Sequence, residues 1–342
     1  MKKFLLGMMI SALPLAASAI TIDVTQTACS GPASASDCAN LTNQLKTELN
    51  KDLPEVSLDK YSDGVANSTA FAMKGQGSDY SDNFTHFVFK PSFGVAAQGD
   101  MNNPDKMEGV GVGGALTVGL NLDLLPVEKI GPVEFKKMDL FVSFMSYNMD
   151  QDSDDLNLKG DVNSFGIHAR YRLIDPVDIA PGYLLEWGGV HLHTGFQFNK
   201  MGIDATQKIK DQTISSGAAT AQVTNAFGQF TMDSKATTVP IEVSTYLRML
   251  YAFTLYGGAG FDFVSASSDI DFKASANING GATGYAATAA ATESSDGKGK
   301  PTNFRGFVGF QVNVPFVRLF VHVNKGFGND LVGANAGVKI LY

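Results

Sequence analysis

The chain has little of what most protein chemistry draws on. Its 342 residues include two cysteines, one tryptophan and five histidines. Cys29 and Cys38 have no histidine near them in sequence, so the reading as a reactive or metal-binding pair has no support from its neighbours. In an oxidising compartment the two are expected to form one disulfide closing a short loop. Positive charge is scarce as well: 26 Lys and Arg stand against 34 Asp and Glu, for a net charge of −8. Phosphate binding needs a basic surface, so nucleic acid is not expected as a partner. Beyond residue 19 no apolar run reaches the ~18 residues of a helical membrane span. A phosphate-cradling glycine loop is missing too, because GVGVGGALTVG, though glycine-rich, alternates as a strand does. No cofactor is expected.

What is present begins with the leader-like residues 1–19. Lys2 and Lys3 precede the apolar stretch Phe4 to Leu15, and Ala17-Ser18-Ala19 gives the small-x-small pattern of a cleavage site. This reads as a secretory signal peptide, because the stretch is shorter than the ~20 residues that span a bilayer. Residues 20–83 follow as an N-terminal helical segment. Leu41, Leu45, Leu49 and Leu53 recur as one helical stripe, with Pro54 as its stop. A second helix is expected from about Val65 to Lys74, ended by Gly75. The segment is expected to act as a plug or a periplasmic cap.

From residue 84 to 342 the period changes to two. Glycine (36) and phenylalanine (24) are abundant while proline (12) is modest, a composition that suits strands. In 109–124, Val110, Val112, Leu116, Val118, Leu120, Leu122 and Leu124 fall on one face and Gly, Thr, Asn and Asp on the other. The same alternation marks 164–173, 189–199 and 317–324. Further strands are expected near 84–97, 135–149, 237–249, 251–264, 303–314 and 332–342. The fold class is therefore all-β: an antiparallel up-and-down transmembrane β-barrel of about ten strands. Weak alternation in 207–214, 223–232 and 270–278 leaves twelve or fourteen open. Short connections (126–134, 175–182, Leu250, Pro315) alternate with long polar ones (150–160, 201–235, 265–302), as in an outer-membrane barrel. The phasing puts both termini on the periplasmic side. Segment 280–295 reads as a mobile loop, and Pro91 and Pro240 strain the strand assignment because proline cannot donate to a ladder.

Counting back from Tyr342, Ile340, Val338, Ala336 and Ala334 alternate behind a terminal aromatic. That ending resembles the bacterial outer-membrane β-barrel class. The resemblance implies the outer membrane as location, membrane lipid as surroundings, and delivery to the barrel-assembly machinery through the strand ending at Tyr342. The stretch GQGSDYSDNFTHFVFKPSFGVA and the ending GANAGVKILY also resemble a family of spirochaete-type surface adhesins that bind host matrix proteins. This second likeness implies an extracellular ligand or host protein and transfers no binding residues.

The candidate chemistry lies on the polar strand faces. His86, His168, His191, His193 and His322 all fall there, with His168 opposite His191 or His193. Such a cluster suits metal or pH sensing, or a hydrogen-bonded lumen. Arg170, Arg172, Arg248, Arg318 and Lys339 point inward with Asp123, Asp139 and Glu242. They form either a selectivity constriction or the salt-bridged core of a closed barrel, and the small bore of a ten-strand barrel favours the latter. Asp150, Asp152, Asp154 and Asp155 lack the glycine and distal glutamate of a calcium loop and read as a solvated loop. The mid-strand histidines are at the wrong depth for an outer-membrane protease and have no lipid-facing serine for a lipase, so no enzyme is expected. The functional expectation is a structural or surface-interaction role presented by loops 201–235 and 265–302. The alternative is a narrow small-solute channel gated by the N-terminal segment.

Overall fold

In the computed structural model the residues described are 23–29, 35–50, 57–81, 86–100, 106–126, 128–180, 184–209, 211–216, 219–280, 284–314, 316–328 and 330–341. The leader, Leu53, Pro54, Pro315 and the terminal Tyr342 lie outside them. The elements before the barrel are β1 (Asp23–Cys29), α1 (Ala35–Asn50) and α2 (Leu58–Phe71). The long strands are β2 (Phe87–Gly99), β3 (Met107–Asn121), β4 (Met138–Asp152), β5 (Leu156–Ile174), β6 (Leu185–Ile209), β7 (Ala219–Met249), β8 (Phe253–Asn279), β9 (Tyr285–Lys298), β10 (Thr302–Val314), β11 (Val317–Phe327) and β12 (Leu331–Leu341).

All of these except β1 and β9 form one antiparallel ring. It runs in sequence order from β2 to β12 and closes where β12 pairs β2, with Leu341 opposite Val88. The ring has ten strands. The weak alternation of 207–214, 223–232 and 270–278 that left twelve or fourteen open belongs to extensions of β6, β7 and β8 and to Gln212–Ser216, which pairs the far end of β7 outside the ring. Both prolines sit at gaps in a ladder. The β12–β2 pairing skips Pro91 between Gly337↔Ser92 and Ile340↔Phe89, and the β6–β7 pairing skips Pro240 between Thr238↔Gln197 and Ile241↔Thr194. No donor is missed where the strands exchange none.

At one end of the ring β7 turns into β8 over residues 250–252, and β10 into β11 over 315–316. Leu250 and Tyr251 both have positive φ, 52° and 56°, within a three-residue connection flanked by the pair Met249↔Phe253. Outer-membrane barrels carry their longer extensions on the outer side, which makes this the periplasmic end. At the other end the strands overshoot. A tilted strand crosses the bilayer in ~10 residues, yet β6, β7 and β8 run for 25, 31 and 27. The expected loops 201–235 and 265–302 are thus mostly strand. The alternation continues there with its polarity reversed, which period counting over a short window reads as a loss of signal.

The reversal is clear on neighbouring strands. Across the membrane band Ile167, Phe196, Val239 and Phe263 face out and are exposed, while His168, Gln197, Thr238 and Asp262 face in. Beyond it Lys200, Asp233, Lys235, Asp269 and Asp271 face out, while Leu158, Val162, Met201, Met232 and Ile270 are buried inside. The lower half is built for lipid and the upper half for water. We call the upper half the crown.

Candidate functional site: a plugged lumen beneath an outer crown

The N-terminal segment enters the barrel from the crown and runs down to the periplasmic end. β1 pairs β9, and α1 packs Cys38, Leu41 and Leu45 against Ile278, Tyr285, Ala287 and Ala289. This corrects the expectation that both termini share the periplasmic side, and with it the periplasmic-cap reading. β1 and α1 lie at the end opposite Leu341. Tyr285, Ala287 and Ala289 of β9 face α1, so residues 285–295 of the segment expected as a mobile loop belong to a strand. Cys29 and Cys38 are disulfide-bonded, tying β1 to α1. Replacing both with Ser is expected to loosen the β1–α1 unit by about 2–3 kcal/mol, from restored loop entropy. Limited proteolysis should then cut within residues 23–50 while the barrel keeps its heat-modifiable gel mobility.

α2 starts at Ser57, whose side chain accepts from the Lys60 N–H, a regular N-cap. It is buried on nearly every side. Its hydrophobic contacts Leu58, Tyr61 and Val65 join Val162, Met201, Phe230, Met232 and Ile270 in the crown core. Ser62 Oγ lies 2.9 Å from Ser268 Oγ. Gly64 meets the backbone of Glu108 and Gly109 in β3 with no room for a Cβ on either side. Glycine is therefore what lets a helix and a strand share the bore.

After α2 the chain continues through the membrane-level lumen as residues 72–81. Met73 O and Thr69 O accept from Gln197 and Asn199, at 3.1 and 3.0 Å. Gly75, at φ 87°, passes the His322 ring, and Gly77 passes His168 so closely that a Cβ would collide with the imidazole. Lys74 pairs Asp262 at 3.3 Å. Asp262 also receives Arg305 at 3.0 Å, and Arg305 bonds Glu242 in turn. Tyr80 donates to Glu242 at 2.6 Å. Lys339 donates to both oxygens of Asp79 at 3.0 Å, and Arg170 donates to the Asp79 carbonyl at 2.9 Å and pairs Asp139 at 2.6 Å. Lys90 donates to Ser78 O. Every one of these charged side chains is buried.

His168, His191, His193, His322 and Arg170 thus line the lumen around residues 72–81 and are buried. His193 sits between Ser78 Oγ at 2.8 Å and Ser244 Oγ at 2.7 Å. The expected histidine pairing is offset by the true register: His168 faces Gly195, Arg170 faces His193 and Arg172 faces His191. Arg172 leaves the cluster for the periplasmic rim, where it donates to Lys136 O at 3.2 Å and pairs Asp175 at 3.3 Å. His86 is exposed just before β2. Asp123 is exposed in a turn, because β3 ends at Asn121. Among the described residues no group of three metal-ligating side chains is assembled. The sequence reading missed Lys74, Asp79, Tyr80, Asp262 and Arg305. The last two share the polar parity of their strands. The first three lie in MKGQGSDYSD, whose glycines and small polar residues give no period.

On the outer face of the crown Asp233, Asp269 and Asp296 are direct cross-strand neighbours. Like charges so placed disfavour one another. Partial burial, and then the Asp296 carboxyl beside it, raise the pKa of Asp269 above the ordinary carboxylate value. A raised folded-state pKa on an acid means that its ionised form opposes folding at neutral pH, and that the penalty fades as pH falls through that pKa. Asp269→Asn is therefore expected to raise the crown's melting temperature at pH 7, with the gain vanishing on acidification. Calorimetric scans of both proteins across that pH range check this.

A closed antiparallel ring, apolar outward over one band and filled with polar side chains, defines a bacterial outer-membrane β-barrel protein. More narrowly, the chain belongs to the Lsa36-like family of spirochaete surface proteins, whose family profile matches residues 23–342. No curated protein matches it. Among solved structures it is similar to the translocator domain of autotransporter NalP from Neisseria meningitidis, at 11% identity and TM-score 0.33, covering 76% of this chain and 90% of that one. It is also similar to the outer-membrane protease OmpT from Escherichia coli, at 9% identity and TM-score 0.31, covering 77% and 99%. A third is Ail, the attachment invasion locus protein of Yersinia pestis, at 11% identity and TM-score 0.21, covering 75% and 98%.

Proposed function

We propose that this protein is a non-enzymatic surface-interaction protein, an adhesin in which a sealed barrel anchors a folded crown that contacts an extracellular or host partner. The observation that carries the reading is the polarity reversal along β5 to β8. A barrel that only spans the membrane has no use for strands that continue, apolar side inward, into a water-facing structure with its own core. Membership of the Lsa36-like family supports the same reading. The channel alternative finds less support, because α2 and residues 72–81 fill the bore and bond to its wall.

The test removes the top of the crown and keeps the barrel. Ile270 and Ser295 face each other across β8 and β9, so an Asn-Gly turn joining them excises 271–294 and takes away the seat of α1. Cells producing the full chain are expected to adhere to wells coated with an extracellular-matrix extract. Cells producing the excised form should adhere no better than cells lacking the protein, while the barrel's gel mobility shift on heating is retained. Equal adherence of the two forms would overturn the reading.

A further inference from the structure

β4 has different neighbours along its two edges. β3 is bonded to it from Asn121↔Asp139 up to Leu116↔Phe144, and no further. β5 stays paired to it as far as Asp152↔Asn157. Above Phe144, β3 leaves the wall for the bore. Its Gly114 O accepts from Ser164 and its Val112 O from Asn199, two inward-facing side chains of β5 and β6. Residues 145–152 of β4 therefore keep one edge with no strand paired to it among the described residues.

The separation falls at the top of the apolar band. Leu140, Val142 and Phe144 face out and are exposed, and the next outward positions are Ser146, Asn148, Asp150 and Asp152. Within hydrocarbon an open edge leaves backbone groups unsatisfied at several kcal/mol each. In water the same edge is tolerated, and it is a template for an added strand. Proteins that must avoid this guard their edges with charged side chains, lysine above all, with proline or with a bulge; the charges here, Asp150 and Asp152, are acidic and admit a basic strand. Residues 145–152 contain neither lysine nor proline.

Charge selects the occupant. The stretch 145–161 holds Asp150, Asp152, Asp154, Asp155 and Asp161 against one base, Lys159, which lies opposite Asp150. Two copies of this edge would bring their aspartates together, which disfavours self-pairing. We propose that the open edge of β4 takes up an extended, basic segment of a partner protein as an additional strand. The backbone would supply affinity and the aspartates the selection. This names the partner chemistry for the surface-interaction reading and rests on it.

The experiment uses the full chain in nanodiscs and a synthetic peptide of alternating Lys and Thr. Peptide at saturation is expected to slow amide hydrogen exchange in residues 145–152 by about tenfold, as newly satisfied backbone groups would. Asp150→Asn, Asp152→Asn, Asp154→Asn and Asp155→Asn combined should weaken binding by about tenfold, the scale of several exposed ion pairs. A Glu/Thr peptide, and a Lys/Thr peptide N-methylated at alternate amides, should leave exchange unchanged. Unslowed exchange in 145–152, equal protection by the N-methylated peptide, or unaltered binding by the four-site variant would each overturn the proposal. If the excised crown abolishes cell adherence while β4 shows no protection, the edge assignment fails and the adhesin reading stands. If adherence ignores the crown, that reading fails by itself.

Discussion

Asp79→Ala is expected to be the most damaging single truncation in the lumen, lowering stability by about 3–5 kcal/mol, the usual cost of stranding the partner of a buried ion pair. Lys339 gives two bonds to the Asp79 carboxylate at 3.0 Å, and both side chains are almost wholly buried. Without Asp79 the Lys339 ammonium keeps its bond to Ser81 Oγ at 2.9 Å but loses the carboxylate that neutralises it. The measurement is the temperature at which the detergent-solubilised protein loses its fast-migrating folded band. A double variant carrying Lys339→Met as well should recover part of the loss, because neither charge then remains to be buried. If the single and double variants unfold together with the native protein, Asp79 does not hold the plug.

Gly109→Leu is the second large effect, and it acts on the seal. Gly109 of β3 and Gly64 of α2 meet backbone to backbone, and a side chain at either position has nowhere to go. The helix must leave its seat, giving up the buried contacts of Tyr61 and Val65 with the crown core. Burial of large apolar side chains contributes ~1.5–3 kcal/mol each, so the displaced state costs several times the typical effect of a surface change. The expected readout is twofold. Planar-bilayer recordings should be silent for the native protein and show steps for the variant, and protease added from the crown side should cut within α2. Gly228→Ala serves as control, since a Cβ there meets nothing within 4 Å. A silent Gly109→Leu protein with α2 still protected would mean that the bore is sealed by something other than this helix.

These experiments concern a bore whose contents the sequence hardly advertised. Period-two patterning made the barrel legible, because the bilayer demands apolar residues at alternate positions, and Ile167, Phe196 and Phe263 meet that demand. The same rule put His168, His191, His193, His322 and Arg170 on the inner face, where they are buried, but His86 lies exposed just before β2. It misjudged Arg172, because inward parity says nothing about depth, and Arg172 turns to Lys136 and Asp175 at the rim. It misjudged Asp123 for a similar reason: β3 stops at Asn121 and the turn that follows exposes the carboxylate. The crown gives no signal to alternation of a single polarity, because above the membrane the polarity reverses. Ala287 and Ala289 looked like low complexity until α1 was seen against them.

What the sequence by itself determined is the wall: an antiparallel barrel of about ten strands, the inward and outward faces of its membrane band, and the cysteine pair. These follow from local alternation and short-range spacing, which a bilayer enforces residue by residue. What only the tertiary structure decided is the interior and the direction of threading. Lys74, Asp79 and Tyr80 find Asp262, Lys339 and Glu242 across long stretches of chain, and no local period encodes such pairs. Nor does any local signal tell α2 to descend from the crown. That is decided by volume and charge: a glycine-lined groove in β3 wide enough for a helix, and buried wall charges, Lys339 and Lys90 among them, that residues 72–81 satisfy.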